Sequence, residues 1–164
     1  MTDNDIKVFL NNIDVAVTVY PEEKAGMVLF SPLEHYESTD GLISFSALVI
    51  IEYNGVLKHK LSLQLVRLAA DDDNALQTFS LEKIFFDKNH AFYCNNKKVD
   101  CGNSFKSCSI DVKPFDHRHC LRYSFNGIPL CGSGMYYLSL GLDIDNSFLP
   151  IKSAPIMVEI VGEN

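Results

Sequence analysis

Two stretches of alternating apolar and polar residues, joined by an Asn-Gly pair, constrain the fold of this chain more than any other feature. Ile43, Phe45 and Val49 lie on one face of the first stretch, and the leucines at positions 61, 63 and 65 lie on one face of the second. A period of two residues predicts a strand with one buried face. The sequence therefore predicts two long strands, from Gly41 to Leu68, that pair as a β-hairpin.

The register of this hairpin depends on the length of its turn. A two-residue turn at the Asn-Gly pair would place the apolar Ile51 opposite the charged Lys58. A three-residue loop, Tyr53–Gly55, instead pairs Ile51 with Leu57 and keeps apolar residues together on one face. We therefore predict a type I turn followed by a bulge, with a positive φ angle at Gly55. Because two strands cannot bury that leucine face alone, a second sheet is expected to cover it.

Alternation recurs along the remaining chain, with turn-forming residues between the segments and no long helical pattern. Further strands are predicted at 6–20 (interrupted at residues 11 and 12), 27–30, 78–86, 91–94, 106–113, 120–125, 135–144 and 155–161. Residues 31–40 are predicted to form a loop, and a short helix is the alternative for 78–86. The pattern is typical of a sandwich or barrel. It predicts one all-β domain, residues 1–164, built as an antiparallel two-sheet sandwich of about eight strands.

The C-terminal third of the chain has a Gly-x-Tyr-x-Leu segment, a polar connection, and then a strand that begins with proline. These features comprise Gly134, Tyr136 and Leu138, followed by Pro155, Ile156 and Val158. The segment resembles the closing strand pair of immunoglobulin-like and C2-like sandwiches, and the whole chain resembles uncharacterised bacterial β-sandwich domains. This resemblance implies a fold and no particular activity.

Charge and hydropathy exclude several classes of partner. The formal net charge is -7, which argues against binding to nucleic acid or to anionic membrane surfaces. No apolar run approaches the roughly 20 residues that a membrane-spanning helix needs. The first residues are polar and acidic rather than basic and then apolar, so no secretory signal is predicted and the cytosol is the expected compartment.

The five cysteines, at positions 94, 101, 108, 120 and 131, are odd in number. Without a secretory signal, free thiols are the expected state. The seven-residue spacing of the first three matches no tetrahedral zinc arrangement, which needs closely spaced cysteine pairs.

The densest group of reactive side chains is Asp116-His117-Arg118-His119-Cys120. On a strand, His117 and His119 would point to the same face, about 7 Å apart. Two imidazoles at that spacing can share a metal ion, with Asp116 or a distant cysteine completing the set of ligands. The alternative is a polar turn that leads into a strand at Cys120, with no metal.

Two further chemistries are weaker. The aspartates at 71, 72 and 73 and those at 143 and 145 could gather around calcium, as in C2-like domains, if the two groups met. A cysteine hydrolase would need a thiol beside an imidazole, but His119 and Cys120 are neighbours on a strand and face opposite ways. His59 is predicted to face the core as a buried neutral histidine. No cofactor-binding motif is present.

Binding is therefore the function that the sequence favours. Leu48 and Ile50 are apolar residues on the otherwise polar face of their strand, and Tyr36 and Tyr53 lie in or beside predicted loops. We predict a non-enzymatic binding or protein-interaction module that contacts a protein partner, a second copy of itself or a small ligand through these residues. The alternatives are a ligand- or metal-binding sandwich that uses Asp116, His117 and His119, and a small Cys/His hydrolase.

Overall fold

The computed structural model of the chain describes residues 2–22, 31–68, 76–95, 97–99, 115–145 and 147–162. Within these residues, one helix precedes ten strands. Their bounds are α1 Asp3–Asn11, β1 Ile13–Pro21, β2 His35–Ser38, β3 Leu42–Tyr53, β4 Leu61–Leu68, β5 Leu76–Phe86, β6 Phe92–Cys94, β7 Lys97–Val99, β8 His117–Pro129, β9 Gly134–Ile144 and β10 Ser147–Ile160. The all-β prediction is confirmed. The strands predicted at 27–30 and 106–113 lie outside the described residues.

The strands form two sheets. The smaller sheet has three strands in the order β1-β3-β8, and the larger has seven in the order β2-β10-β9-β4-β5-β6-β7. Both pairings of the smaller sheet are antiparallel. The larger sheet is curled. It is also mixed, because β10 pairs with β2 in parallel whereas its other pairings are antiparallel. The expectation of purely antiparallel pairing is therefore wrong at that edge, where β2 occupies part of the segment predicted as a loop.

The predicted central hairpin is wrong, although both of its strands exist. β3 pairs with β1 and β8 in the smaller sheet, whereas β4 pairs with β5 and β9 in the larger one. Residues 54–60 carry the chain from one sheet to the other, and Leu57 is buried there at 6% exposure instead of pairing with Ile51. The positive φ angle predicted for Gly55 is confirmed at +70°. Alternation correctly identified the buried face of each strand, but a buried face can be covered by a facing sheet as well as by a hairpin partner.

The interior is formed by the inward faces of both sheets. β3 contributes Ile43, Phe45, Val49 and Ile51, each at 0% exposure. β4 contributes three fully buried leucines at 61, 63 and 65, and β9 contributes three more at 138, 140 and 142. All of them belong to one continuous cluster of buried side chains. The buried faces predicted for β3, β4 and β9 are therefore confirmed.

The first element is a helix rather than the strand predicted for residues 6–10. Thr2 begins it with a capping box: its side chain accepts a hydrogen bond from the Asp5 amide, and the Asp5 carboxylate accepts one from the Thr2 amide. Such reciprocal bonds satisfy two amides that a helix start leaves unpaired. Asn12 ends the helix, donating from its side chain to the Val8 carbonyl at 2.8 Å. None of the α1 residues is buried.

Candidate functional site

One end of the two sheets gathers several polar aromatic side chains that contact one another. Tyr53 closes β3 there, and its cross-strand partner His117 begins β8. His119 follows two residues later, opposite Ile51, so both histidines continue the inward face that Leu121 occupies further along β8. The prediction that His117 and His119 share a face is therefore confirmed.

The larger sheet supplies the other half of this end. Phe86 ends β5, Phe92 begins β6, and His90 lies in the connection between them. We call Tyr53, Phe86, His90, His117 and His119 the histidine cluster. The His90 and His117 rings stack with centroids 3.6 Å apart, and the Phe86 and His119 rings stack at 4.0 Å. The cluster thus joins an edge strand of one sheet to a turn of the other.

Tyr53 is the centre of the cluster. Its hydroxyl lies 2.8 Å from His90 Nδ1 and 3.1 Å from His119 Nε2. Because the hydroxyl has a single proton, it donates to one of these nitrogens and accepts from the other when both imidazoles are neutral. Burial, with a smaller contribution from Asp87, raises the pKa of Tyr53 to about 12, so the hydroxyl keeps its proton at neutral pH.

The imidazoles of His90 and His119 favour their neutral forms. Burial, reinforced by the nearby His90 and His117 rings, lowers the pKa of His119 to about 4. Burial and the neighbouring His117 also lower the pKa of His90, although Asp87 opposes the shift. The two rings that are hydrogen-bonded to Tyr53 therefore bear little charge near neutral pH.

The turn that presents His90 is strained and braced. His90 has a φ angle of +62°, in the left-handed region that non-glycine residues seldom adopt. Asp87 braces the turn: its side chain accepts hydrogen bonds from the amides of Asn89 and Ala91, both at 2.9 Å. The surrounding contacts hold His90 in this conformation, and such outliers concentrate at functional sites.

A cavity of about 500 Å³ lies on the other side of Tyr53, between α1 and the connection 54–60. We call it the helix cavity. Its lining is mixed, with apolar, charged and amide side chains. It comprises Asp5, Val8, Phe9, Asn12, Tyr53, Asn54, Val56, Leu57, Lys58 and His59. Tyr53 is thus shared between the cavity and the histidine cluster.

The wall of the cavity is held by few contacts. The Phe9 ring meets the edge of the His59 ring at 5.1 Å, and the Asn54 amide donates to the Asn12 carbonyl at 3.0 Å. His59 is only half-buried, so its prediction as a core residue is wrong. Val8 and Val56 are 54% and 48% exposed, which leaves apolar surface at the mouth of the cavity.

The structure separates the predicted metal ligands. Asp116 is exposed, and its amide donates to the Asn54 side chain at 3.0 Å. Within the described part of the chain, no three His, Cys, Asp or Glu side chains are placed to hold one metal ion. For the calcium hypothesis, Asp143 accepts a hydrogen bond from Ser62 at 2.6 Å, and residues 71–73 lie outside the described residues.

The predicted contact residues do not lie together. Tyr53 is only 1% exposed, so it cannot serve as an exposed aromatic contact. Tyr36 is half-buried on β2, where its hydroxyl accepts a hydrogen bond from the Ser44 amide at 3.3 Å. Leu48 and Ile50 are half-buried on the outer face of the smaller sheet, beside Arg122 and Cys120.

Among the described residues, neither Cys94 nor Cys120 is placed as the nucleophile of a Cys/His centre. Cys120 lies opposite Ile50, on the face away from the His119 ring. Cys94 donates to the Glu82 carboxylate, and burial together with this bond raises the pKa of Cys94 to about 12, which makes it a poor nucleophile. Cys94, Cys120 and the exposed Cys131 are all free thiols, as predicted.

Sequence reasoning missed His90, Phe86 and the helix cavity. His90 follows Lys88-Asn89, a turn sequence that gave no sign of which strand it would meet. No protein-family model matches this sequence, and no curated protein is similar to it.

Proposed function

We propose that this protein is a non-enzymatic binding module that takes a small amphipathic molecule into the helix cavity. The observation that carries the proposal is the cavity itself. Its volume of about 500 Å³ falls within the roughly 300–1,000 Å³ of typical small-molecule sites.

The lining suits a molecule with an apolar body and a polar group. Val8, Phe9 and Val56 offer apolar surface, and Lys58 offers a cation close by. Asp5 is the opposing charge, and hydrogen bonds from Thr2 lower its pKa, so it is ionised at neutral pH. The Asp5 carboxylate is already engaged by Thr2, which leaves Lys58 as the freer charge. The lining therefore favours an anionic head group.

The position of the cavity also supports ligand entry. One wall is α1, which has no buried residue and can move at small energetic cost, as mobile walls of binding sites commonly do. The opposite wall rests on Tyr53 and Leu57, which are buried at 1% and 6% exposure. A rigid floor and a loosely packed wall allow a ligand to enter without disturbing the core.

The test uses 8-anilinonaphthalene-1-sulfonate, an apolar body with an anionic head, in a fluorescence titration of the folded protein. We expect saturable binding of one probe per chain. Val56→Glu should weaken it by at least about tenfold, because a carboxylate at the mouth repels the sulfonate and disrupts the apolar wall. Val161→Glu is the matched control, since Val161 and Val56 are 53% and 48% exposed. Absent binding, or equal affinity in the two variants, would refute the proposal.

The finer architecture and cellular setting belong to the same proposal. That the two sheets pack face to face as a sandwich is supported by the single buried cluster they share. A cytosolic location is supported by the free thiols. No helix among the described residues is long and apolar enough to cross a bilayer. Leu48 and Ile50 remain the proposed surface for a protein partner or a second copy.

A further inference from the structure

We infer that the histidine cluster is an acid-sensitive latch that holds the β5–β6 turn against β8, closed with no proton or one added and open with two. The inference rests on the ring contacts and on the hydrogen bonds of Tyr53. It is independent of what the helix cavity binds.

The contacts place the latch between the two sheets. His119 stacks on Phe86, and His117 stacks on His90, so each histidine of β8 meets one residue of the β5–β6 segment. Tyr53 makes hydrogen bonds to both sides, to His90 in the turn and to His119 on the strand. Breaking these contacts would separate the turn from the strand.

Counting protons at the Tyr53 hydroxyl explains why one added proton is tolerated. A protonated His90 donates its Nδ1 proton to the hydroxyl oxygen, and the hydroxyl then donates to a neutral His119. Both hydrogen bonds survive, and Asp87 stands beside the turn to offset the charge on His90.

Once His90 carries the first proton, a second proton breaks the arrangement at either of the other two histidines. If His119 also becomes an imidazolium, the His90 and His119 rings both donate to the Tyr53 oxygen. The hydroxyl proton then has no acceptor, which is costly because Tyr53 is only 1% exposed. If His117 is protonated instead, two imidazolium rings stack with centroids 3.6 Å apart, and they repel each other strongly at this distance. The strained backbone of His90 can relax once the turn is released.

Among the described residues, the other ionisable groups near the latch do not neutralise this second charge. Tyr93, on β6, donates to Asp87 at 3.4 Å. Glu52 is paired with Arg118 at 3.4 Å on the opposite face of the smaller sheet. On the cavity side of Tyr53, the ionisable groups of the lining are Asp5, Lys58 and His59. Asp87 is therefore the carboxylate positioned to balance the first proton.

The experiment follows the imidazole CH signals of the whole protein by NMR from pH 7.5 to pH 4.5. We expect a first proton to bind while the ring-current shift of His119 from Phe86, and the cross-peaks between His90 and His117, persist. A second proton should remove both signals together. Loss of these signals with the first proton, or their persistence after both His90 and His117 are charged, would overturn the inference.

Matched variants isolate the role of the stacked pair. His117→Gln replaces a half-buried ring with a neutral amide, so the pH of opening should fall by at least about one unit, equivalent to a tenfold change in the opening equilibrium. His35→Gln makes the same change at an exposed histidine on β2, 3.9 Å from Glu159, and should leave the opening pH unchanged. Identical opening pH values in His117→Gln and the unmodified protein would refute the latch, and the NMR titration of the unmodified protein decides the question if that variant does not fold.

Discussion

The middle of the interior and the end that holds the histidine cluster share strand β3 but have opposite chemistry. In the middle, β3, β4 and β9 bury aliphatic side chains at 0% exposure. At the end, the inward positions of β3 and β8 hold Tyr53, His117 and His119: Tyr53 is hydrogen-bonded to His119, and the His117 ring packs against Tyr53. Because strand alternation continues unbroken from Leu121 to His117, the polar end follows from the pattern that buries the core. The difference teaches that stability comes mainly from the middle, whereas sensitivity to pH comes from the end.

Removing a core leucine should have the largest effect. Leu63→Ala at the centre of the larger sheet is expected to lower the free energy of unfolding by about 3 kcal/mol, through lost burial and the cavity left behind. Leu10→Ala is the control, because Leu10 is 39% exposed on α1, and it should cost less than about 0.5 kcal/mol. Urea unfolding measures both, and equal losses would contradict the assignment of the core.

Deleting the central hydroxyl of the polar end should cost somewhat less. Tyr53→Phe keeps the ring but leaves His90 and His119 without their shared partner, and we expect a loss of about 2 kcal/mol. Tyr137→Phe, at a half-buried position on β9, should change stability by less than about 0.5 kcal/mol. If Tyr53→Phe left the free energy of unfolding unchanged, the hydroxyl would not organise the cluster.

Lowering the pH should destabilise the protein through protonation of His119. The expected loss in the free energy of unfolding is smaller than the losses for Leu63→Ala and Tyr53→Phe. The pKa of His119 is about 4 in the folded protein, below the ordinary 6.5, so the unfolded chain takes up the proton first. The stability contribution is complete above pH 6.5, falls as the pH drops toward 4, and is constant below that value. After discounting for partial exposure, the loss is about 1.5 kcal/mol.

Comparing variants separates this effect from the titration of carboxylates. The pH dependence of urea unfolding should be shallower in His119→Gln than in the unmodified protein between pH 6.5 and 4. His35→Gln, which alters an exposed histidine, should retain the original slope. Equal slopes in the unmodified protein and His119→Gln would remove His119 as a source of acid sensitivity.

The comparison also explains what could be predicted from sequence. Alternation identified the inward faces of β3, β4 and β9 and the shared face of His117 and His119, because facing inward is a property of a single strand. It could not identify pairing partners, because β3 and β4 each have a regular apolar face that fits either a hairpin or two opposed sheets. The Asn54-Gly55 turn signal then favoured the wrong choice, although the left-handed glycine it predicted is present.

Residues distant in sequence explain the rest. His90 reaches Tyr53 and His117 although β5 and β8 belong to different sheets, and no local pattern encodes that relationship. The N-terminal helix was mistaken for a strand because Ile6, Val8 and Leu10 alternate. The capping box formed by Thr2 and Asp5 was the local signal that could have corrected it.

β3 and β4 lie in different sheets, and this arrangement lets β8 meet the β5–β6 turn. Nuclear Overhauser effects at neutral pH test this most directly. We expect backbone contacts between Val49 and Leu121, and ring contacts between Phe86 and His119. Backbone contacts between Ile51 and Leu57, in the register of a β3–β4 hairpin and without the Phe86–His119 contact, would contradict it.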